Sequence, residues 1–170
     1  MTPEDQKIIL SLVHAPEHPP TATPDDILRH FSESDGKKLG LRLISSAVAE
    51  KSADDLELSL IVANLFGFDS SHLDVLIQLA SDDWHHQHED IVVTLGSLGS
   101  PKAVDVLLRS TRWAPEYMVD DGAALARKAV YALGKIPGPE SEAALVQLAE
   151  SDEEVLRRTA KKLLSKREIS

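Results

Sequence analysis

The stretch ARKAVYALGKIPGPESEAALVQLA at residues 126–149 decides the fold of this chain. Its apolar residues recur every three or four positions on both sides of a Gly/Pro turn, which is the spacing that places them on one face of an α-helix. The turn contains Gly138-Pro139, and proline is favoured at the first helical position because its missing N–H group would have no partner there. The stretch therefore predicts two amphipathic helices joined by a short turn.

The same arrangement occurs twice more upstream, in NLFGFDSSHLDVLIQLASDD at 64–83 and TLGSLGSPKAVDVLLRSTRW at 94–113. When the three segments are aligned, Leu76, Leu107 and Leu145 occupy equivalent positions. Repetition of a helix pair at a fixed period is typical of an α-solenoid. Small residues are expected where neighbouring helices cross, namely Ala63, Gly96, Ala132 and Gly134.

The sequence thus predicts an all-α fold, an α-solenoid of antiparallel helix pairs with about ten helices and no sheet. The predicted helices span 3–14, 24–33, 36–51, 53–67, 71–81, 84–98, 101–112, 121–136, 139–150 and 152–167. Residues 1–23 are expected to form an N-terminal helix and a Pro-rich connector, and residues 24–170 the repeat domain, within a single domain overall. Residues 112–122 are a long insertion in the array.

The segments HEDIVVTLGSLGSPKAVDVLL and ARKAVYALGKIPGPESEAALVQLA resemble HEAT repeats, in the short HEAT-like form of phycobiliprotein lyases and many bacterial proteins. The shared pattern is an Ala/Leu-rich helix that ends in a Leu-Gly pair, a Gly/Pro turn and a second amphipathic helix. The resemblance implies the fold much more strongly than the function, because HEAT arrays occur in enzymes, scaffolds and inhibitors alike.

Composition narrows the possible partners. The chain has 18 Lys and Arg against 28 Asp and Glu, a net charge of −10, which disfavours nucleic acid and anionic membranes and favours a basic protein. It has no cysteine, so disulfides and thiolate metal sites are excluded. An acidic N-terminus without a signal-peptide pattern and the lack of a long apolar run predict a soluble, cytoplasmic protein, expected to be a monomer.

The stretch DDWHHQHED raises the possibility of a metal site, since His85 shares one helical face with His88 and Glu89. The His-Glu pair resembles the motif with which deoxyhypusine hydroxylase, a HEAT-repeat enzyme, binds a di-iron centre. That enzyme needs the motif in several repeats, and the next repeat here has Arg127-Lys128 at the matching position. We therefore predict no metal, no other cofactor and no catalytic residues.

Aromatic and charged residues around the insertion favour a protein-binding surface instead. Trp84, Trp113 and Tyr117 are the expected anchors, and the alternative is that the tryptophans cap the core under the long loop. The residues expected to supply charge or polar contacts are Glu89, Asp120, Asp121, His85 and His88.

The chain also resembles immunity proteins of bacterial contact-dependent and polymorphic toxin systems, in the DDG-x-ALARKA-x-x-ALGKI pattern near residue 120. This resemblance implies a non-enzymatic module that neutralises a basic toxin, often a nuclease, by binding it directly. Two alternatives stay open: a metal-dependent HEAT-repeat enzyme, hydroxylase- or lyase-like, and a scaffold subunit of a larger assembly.

Overall fold

The computed structural model describes residues 1–13, 19–119 and 122–167, and within these ranges the chain is helical without any strand. The prediction of an all-α fold built from helix pairs is confirmed, with ten α-helices in the described part of the chain. The α-helices are α1 Pro3–Leu10, α2 Pro24–His30, α3 Gly36–Glu50, α4 Ala53–Phe66, α5 Leu73–Leu79, α6 His88–Leu98, α7 Val104–Ser110, α8 Ala123–Lys135, α9 Pro139–Leu148 and α10 Glu154–Arg167. Two short 3-10 helices, Ser70–His72 and Pro101–Ala103, lead into α5 and α7.

The chain divides into two compact units, Met1–His72 and Leu73–Ser170, a division that the sequence did not predict. In the first unit, α1 packs against α4 and α2, and α3 packs along α4. Capping boxes begin α1 and α2, where Thr2 and Thr23 exchange hydrogen bonds with Asp5 and Asp26. Residues 14–18 of the predicted Pro-rich connector lie outside the described residues.

The second unit carries the predicted repeats. Helices α6, α8 and α10 lie side by side, and α7 and α9 pack against α8. Leu76, Leu107 and Leu145, which align in the sequence, are all fully buried in α5, α7 and α9. The aligned leucines are therefore buried in every second helix, as the repeat pattern predicts.

Close contact between α6 and α8 depends on small residues. A Cβ atom built on Gly96 would lie 2.6 Å from the Cα atom of Ala132, nearer than real side chains approach a backbone. The same is true in the first unit, where a Cβ on Gly40 would lie 2.9 Å from the Cα of Ala63. The expectation that Ala63, Gly96 and Ala132 mark helix crossings is confirmed.

The end of α8 is held by Arg167 of α10. Its guanidinium donates hydrogen bonds to the carbonyl oxygens of Leu133, Gly134 and Ile136 at 3.0, 3.3 and 2.6 Å, and to the Ser141 hydroxyl at 3.1 Å. The last carbonyls of a helix have no partner within the helix, and this side chain supplies hydrogen bonds to those of Leu133 and Gly134. No helix in the described ranges has the length and apolar character needed to cross a membrane.

Candidate partner-binding site

The prediction of a helix over 84–98 is wrong at its start, because α6 begins at His88 and the residues from Trp84 to Gln87 form an irregular turn. The indole N–H of Trp84 donates to the Asp82 carboxylate at 3.1 Å within this turn. His85 and His88 therefore do not share a helical face, although their side chains still meet.

His85 and His88 stack on each other, with ring centroids 4.3 Å apart and planes inclined by 20°. The His85 Nδ1 atom accepts from the Gln87 backbone N–H at 3.1 Å, so its Nε2 carries the proton and donates to the Leu79 carbonyl at 2.9 Å. The Nε2 atom of His88 lies 2.6 Å from the carbonyl oxygen of Asp82, which can only accept. Both rings therefore carry a proton on Nε2.

Burial keeps these rings neutral. Both side chains are 0% exposed, and loss of hydration disfavours the imidazolium form. Burial, followed by repulsion from His88, lowers the pKa of His85 to about 4, and burial also lowers the pKa of His88. The prediction that His85 and His88 make polar contacts with a partner is wrong, because neither side chain reaches the surface.

The His88 ring connects the start of α6 to the insertion. Its free Nδ1 atom accepts the hydroxyl proton of Tyr117 at 2.9 Å, and burial raises the pKa of Tyr117, so the phenol stays protonated as this bond requires. The Trp113 ring packs edge-on against the same imidazole, with centroids 5.2 Å apart. His86, an exposed neighbour, stacks at a tilt on Tyr117 with centroids 4.4 Å apart. The structure thus brings the insertion and the α6 start together.

Trp84, Trp113 and Tyr117 are each half-buried, with one side packed on the histidine pair and the other open to solvent. The two readings of the tryptophans, as surface anchors or as a cover for the core, are therefore compatible. Large aromatic side chains that are already fixed on one side lose little conformational freedom when a partner covers the other side.

An acidic depression lies next to Tyr117. It has a volume of about 420 Å³ and is lined by Glu89, Asp90 and His86 on one side and by Met118 and Val119 on the other. Val119 is fully exposed at the tip of the insertion. Asp120 and Asp121, which the sequence analysis assigned to the same surface, lie outside the described residues.

Glu89 already has a partner within the chain, since its carboxylate lies 2.6 Å from the ammonium of Lys128 on α8. Sequence reasoning had noted only that Arg127-Lys128 replaces a His-Glu pair in the next repeat. With Leu107 aligned to Leu145, Glu89 falls opposite Arg127 and Asp90 opposite Lys128, so the repeat alignment does not mark this ion pair.

We expect the Glu89–Lys128 pair to contribute little to folding, because both side chains are over a third exposed. A double-mutant cycle with Glu89→Gln and Lys128→Gln, measured by urea unfolding, should give a coupling of about 0.5 kcal/mol. The looser pair of Lys102 and Asp74, 3.9 Å apart and more exposed, is the control and should give a value near zero. Equal coupling energies for the two pairs would contradict the expectation that the closer Glu89–Lys128 pair is the stronger one.

Two grooves are lined by Trp113. Neither of them was predicted from the sequence. One, of about 630 Å³, runs between the starts of α8 and α10, and the other, of about 530 Å³, is bounded by α7 and the end of α5. Arg112 lines both. Their residues belong to separate repeats, so no local sequence pattern marks them.

Comparison with protein families gives one match, to the PBS lyase HEAT-like repeat over residues 125–151. The matched range covers most of α8, the Gly138-Pro139 turn and α9. This match supports a HEAT-like repeat protein, the class already indicated by the helix pairs of the second unit. No curated protein and no solved structure shows significant similarity to the chain.

Proposed function

We propose that this chain is a non-enzymatic protein-binding module, and specifically an immunity protein that neutralises a basic toxin domain, such as a nuclease, in the cytoplasm. The observation that carries the proposal is the anchoring of Trp113 and Tyr117 on the buried His88 ring beside the acidic depression. Rigid, half-exposed aromatic side chains next to unburied charge have the composition of an interface hot spot.

Charge supports a basic partner. The net charge of −10 would steer a cationic protein towards this chain and raise the association rate. At the site, Glu89 and Asp90 line a depression of a size that admits one Lys or Arg side chain of the partner. Asp120 and Asp121 follow Val119 in the sequence and add two more carboxylates to the insertion.

The use of the histidine nitrogens argues against the metal-dependent alternative. A ligating imidazole needs a free nitrogen lone pair, and the only lone pairs on the neutral His85 and His88 rings accept hydrogen bonds from Gln87 and Tyr117. Within the described residues, no three His, Asp or Glu side chains are grouped as metal ligands. Elemental analysis of the purified protein tests this directly, since stoichiometric iron or zinc would revive the enzyme hypothesis.

The proposal predicts that Trp113→Ala combined with Glu89→Gln weakens binding of the toxin domain at least tenfold, because the change removes an anchor and a charge together. The toxin domain to be tried is any basic protein that a neighbouring gene encodes, with affinities measured by titration calorimetry. Coproduction of the wild-type chain should protect cells from that toxin.

The matched control is Tyr131→Ala combined with Glu142→Gln, which removes an exposed aromatic residue and an exposed acid from α8 and α9, outside the site. This variant should bind within twofold of wild type. If the Trp113/Glu89 variant binds as tightly as the control, the site is misplaced. If the wild-type chain neither binds nor protects, the immunity proposal is wrong.

A further inference from the structure

The groove between α8 and α10 differs in character from the acidic depression. Its volume is about 630 Å³, and its apolar lining includes Trp113, Leu148, Val155 and Leu156. A groove of this size is in the range that takes a ligand or a few residues of peptide.

Arginine side chains surround this apolar lining. Arg112 and Arg127 line the groove, and both are exposed. Neither makes an ion pair with any residue that the structure describes. Arg157 lies at the same end, where its guanidinium donates to the carbonyl oxygens of Ser151 and Asp152 at 2.7 and 3.1 Å. Its charge is therefore not neutralised by a carboxylate there.

Acidic side chains are fewer than arginine side chains at this groove. Glu153 lines it, and the exposed Asp152 adjoins it. Among the described residues that line the groove, the guanidinium groups of Arg112 and Arg127 therefore outnumber the single carboxylate of Glu153.

We propose that this groove binds an acidic, extended segment of a protein partner. Apolar side chains of the segment would lie on Trp113, Leu148 and Leu156, while its Asp or Glu carboxylates would pair with Arg112 and Arg127. The guanidinium fork suits a carboxylate because it can donate two parallel hydrogen bonds to it.

A protein segment fits this lining better than a nucleic acid strand does. Single-stranded nucleic acid binds to successive aromatic side chains on which its bases stack. Among the described residues that line the groove, Trp113 is the only aromatic one, and the rest of the apolar lining is aliphatic. An alternation of aliphatic and acidic side chains would match both the lining and the arginines.

The inference does not depend on the basic partner proposed above: the groove shares Trp113 with that site, but its test changes Arg112 and Arg127, which the toxin experiment leaves intact, and needs no toxin. Failure of the peptide experiment would leave the toxin-binding result unchanged, and failure of toxin binding would leave the peptide result unchanged.

The probe is a fluorescein-labelled peptide of alternating leucine and glutamate, seven residues long, with the leucine–lysine peptide as its charge-reversed counterpart. We expect saturable binding of the acidic peptide in fluorescence polarisation, and amide chemical-shift changes in 15N-labelled protein at Arg112, Arg127 and Leu156. Arg112→Gln combined with Arg127→Gln should weaken this binding at least fivefold.

The matched control is Arg158→Gln combined with Lys161→Gln, which removes two positive charges from the exposed face of α10 outside the groove. It should bind the acidic peptide within twofold of wild type, and circular dichroism should show both variants folded. Equal weakening by the two variants would overturn the proposal, as would stronger binding of the lysine peptide or no binding of the acidic one. Displacement of the bound peptide by oligothymidylate with the same chemical-shift changes would also overturn it, in favour of nucleic acid.

Discussion

Gly96→Ala is expected to lower the free energy of unfolding of the second unit by about 2 kcal/mol, the size of a typical overpacking cost. Helix propensity alone predicts the opposite, since alanine is favoured over glycine within a helix by about 1 kcal/mol. We expect the packing cost to outweigh the propensity gain, because the new Cβ would lie 2.6 Å from both the Cα and the Cβ of Ala132. The α6 and α8 backbones must then separate.

Gly134→Ala is the matched control. A Cβ there would lie 2.9 Å from the two terminal carbons of Leu163, which belong to a flexible side chain and can rotate away. We therefore expect the higher helix propensity of alanine to offset most of the cost of moving Leu163. The free energy of unfolding should change by no more than about 1 kcal/mol.

Urea unfolding followed by tryptophan fluorescence measures both variants. The chain's two tryptophans, Trp84 and Trp113, belong to the unit Leu73–Ser170, so the signal reports on that unit. A Gly96→Ala midpoint at or above that of Gly134→Ala would show that α6 and α8 do not depend on this close approach.

Most of the fold could be predicted from the sequence because it depends on local, repeated signals. Thr2 and Thr23 cap their helices as their Thr-Pro sequences indicate. The apolar spacing of three and four places Ile91 and Leu95 in the buried face of α6. Such signals depend on neighbours within one or two helical turns, so they can be read from a single sequence.

The start of α6 could not be predicted in this way. Acidic residues before an apolar stripe are typical of a first helical turn, and this pattern placed the start at Trp84. The turn from Trp84 to Gln87 is instead held by side-chain bonds from His85 and His88 to the carbonyls of Leu79 and Asp82. A ring nitrogen that bonds to a carbonyl six residues earlier leaves no signal in local composition.

The sequence predicted that the insertion and the start of α6 lie in one region, but not how the residues there contact one another. The sequence placed Trp113 and Tyr117 near the α6 start, and the structure agrees. It assigned His88 to polar contacts with a partner, which would require an exposed side chain. The phenol of Tyr117, 29 residues away, satisfies its second nitrogen and allows it to be buried. This pairing depends on how the insertion folds back, which repeat periodicity does not specify.

Acidification is expected to destabilise the second unit between about pH 6.5 and 4. The unfolded chain takes up a proton on His85 near the ordinary pKa of 6.5, whereas the folded chain does so only near pH 4. The contribution of neutral His85 to the free energy of unfolding is therefore fully present above pH 6.5. It falls as the pH decreases, because the unfolded state binds more protons. The difference in pKa corresponds to a loss of about 3 kcal/mol from His85 by pH 4, and His88 adds a loss of the same sign.

The measurement is the urea midpoint, from tryptophan fluorescence, at a series of pH values for the wild type, His85→Gln and His86→Gln. Glutamine in place of His85 can still donate to the Leu79 carbonyl but does not titrate, so its stability should fall about 3 kcal/mol less over this range. His86→Gln removes an exposed histidine from the same stretch and should keep the wild-type slope.

Protonation of Asp69 is a separate effect, because this residue belongs to the unit Met1–His72. Hydrogen bonds from Ser71 lower the pKa of Asp69 to about 2, so that group adds stability that is lost only as the pH falls below its ordinary value of 3.8. Protonation of His88 at Nδ1 would remove the acceptor of the Tyr117 hydroxyl, so the insertion should loosen together with the histidine pair. If His85→Gln and wild type lose stability in parallel from pH 6.5 to 4, burial of His85 does not lower its pKa and this prediction is wrong.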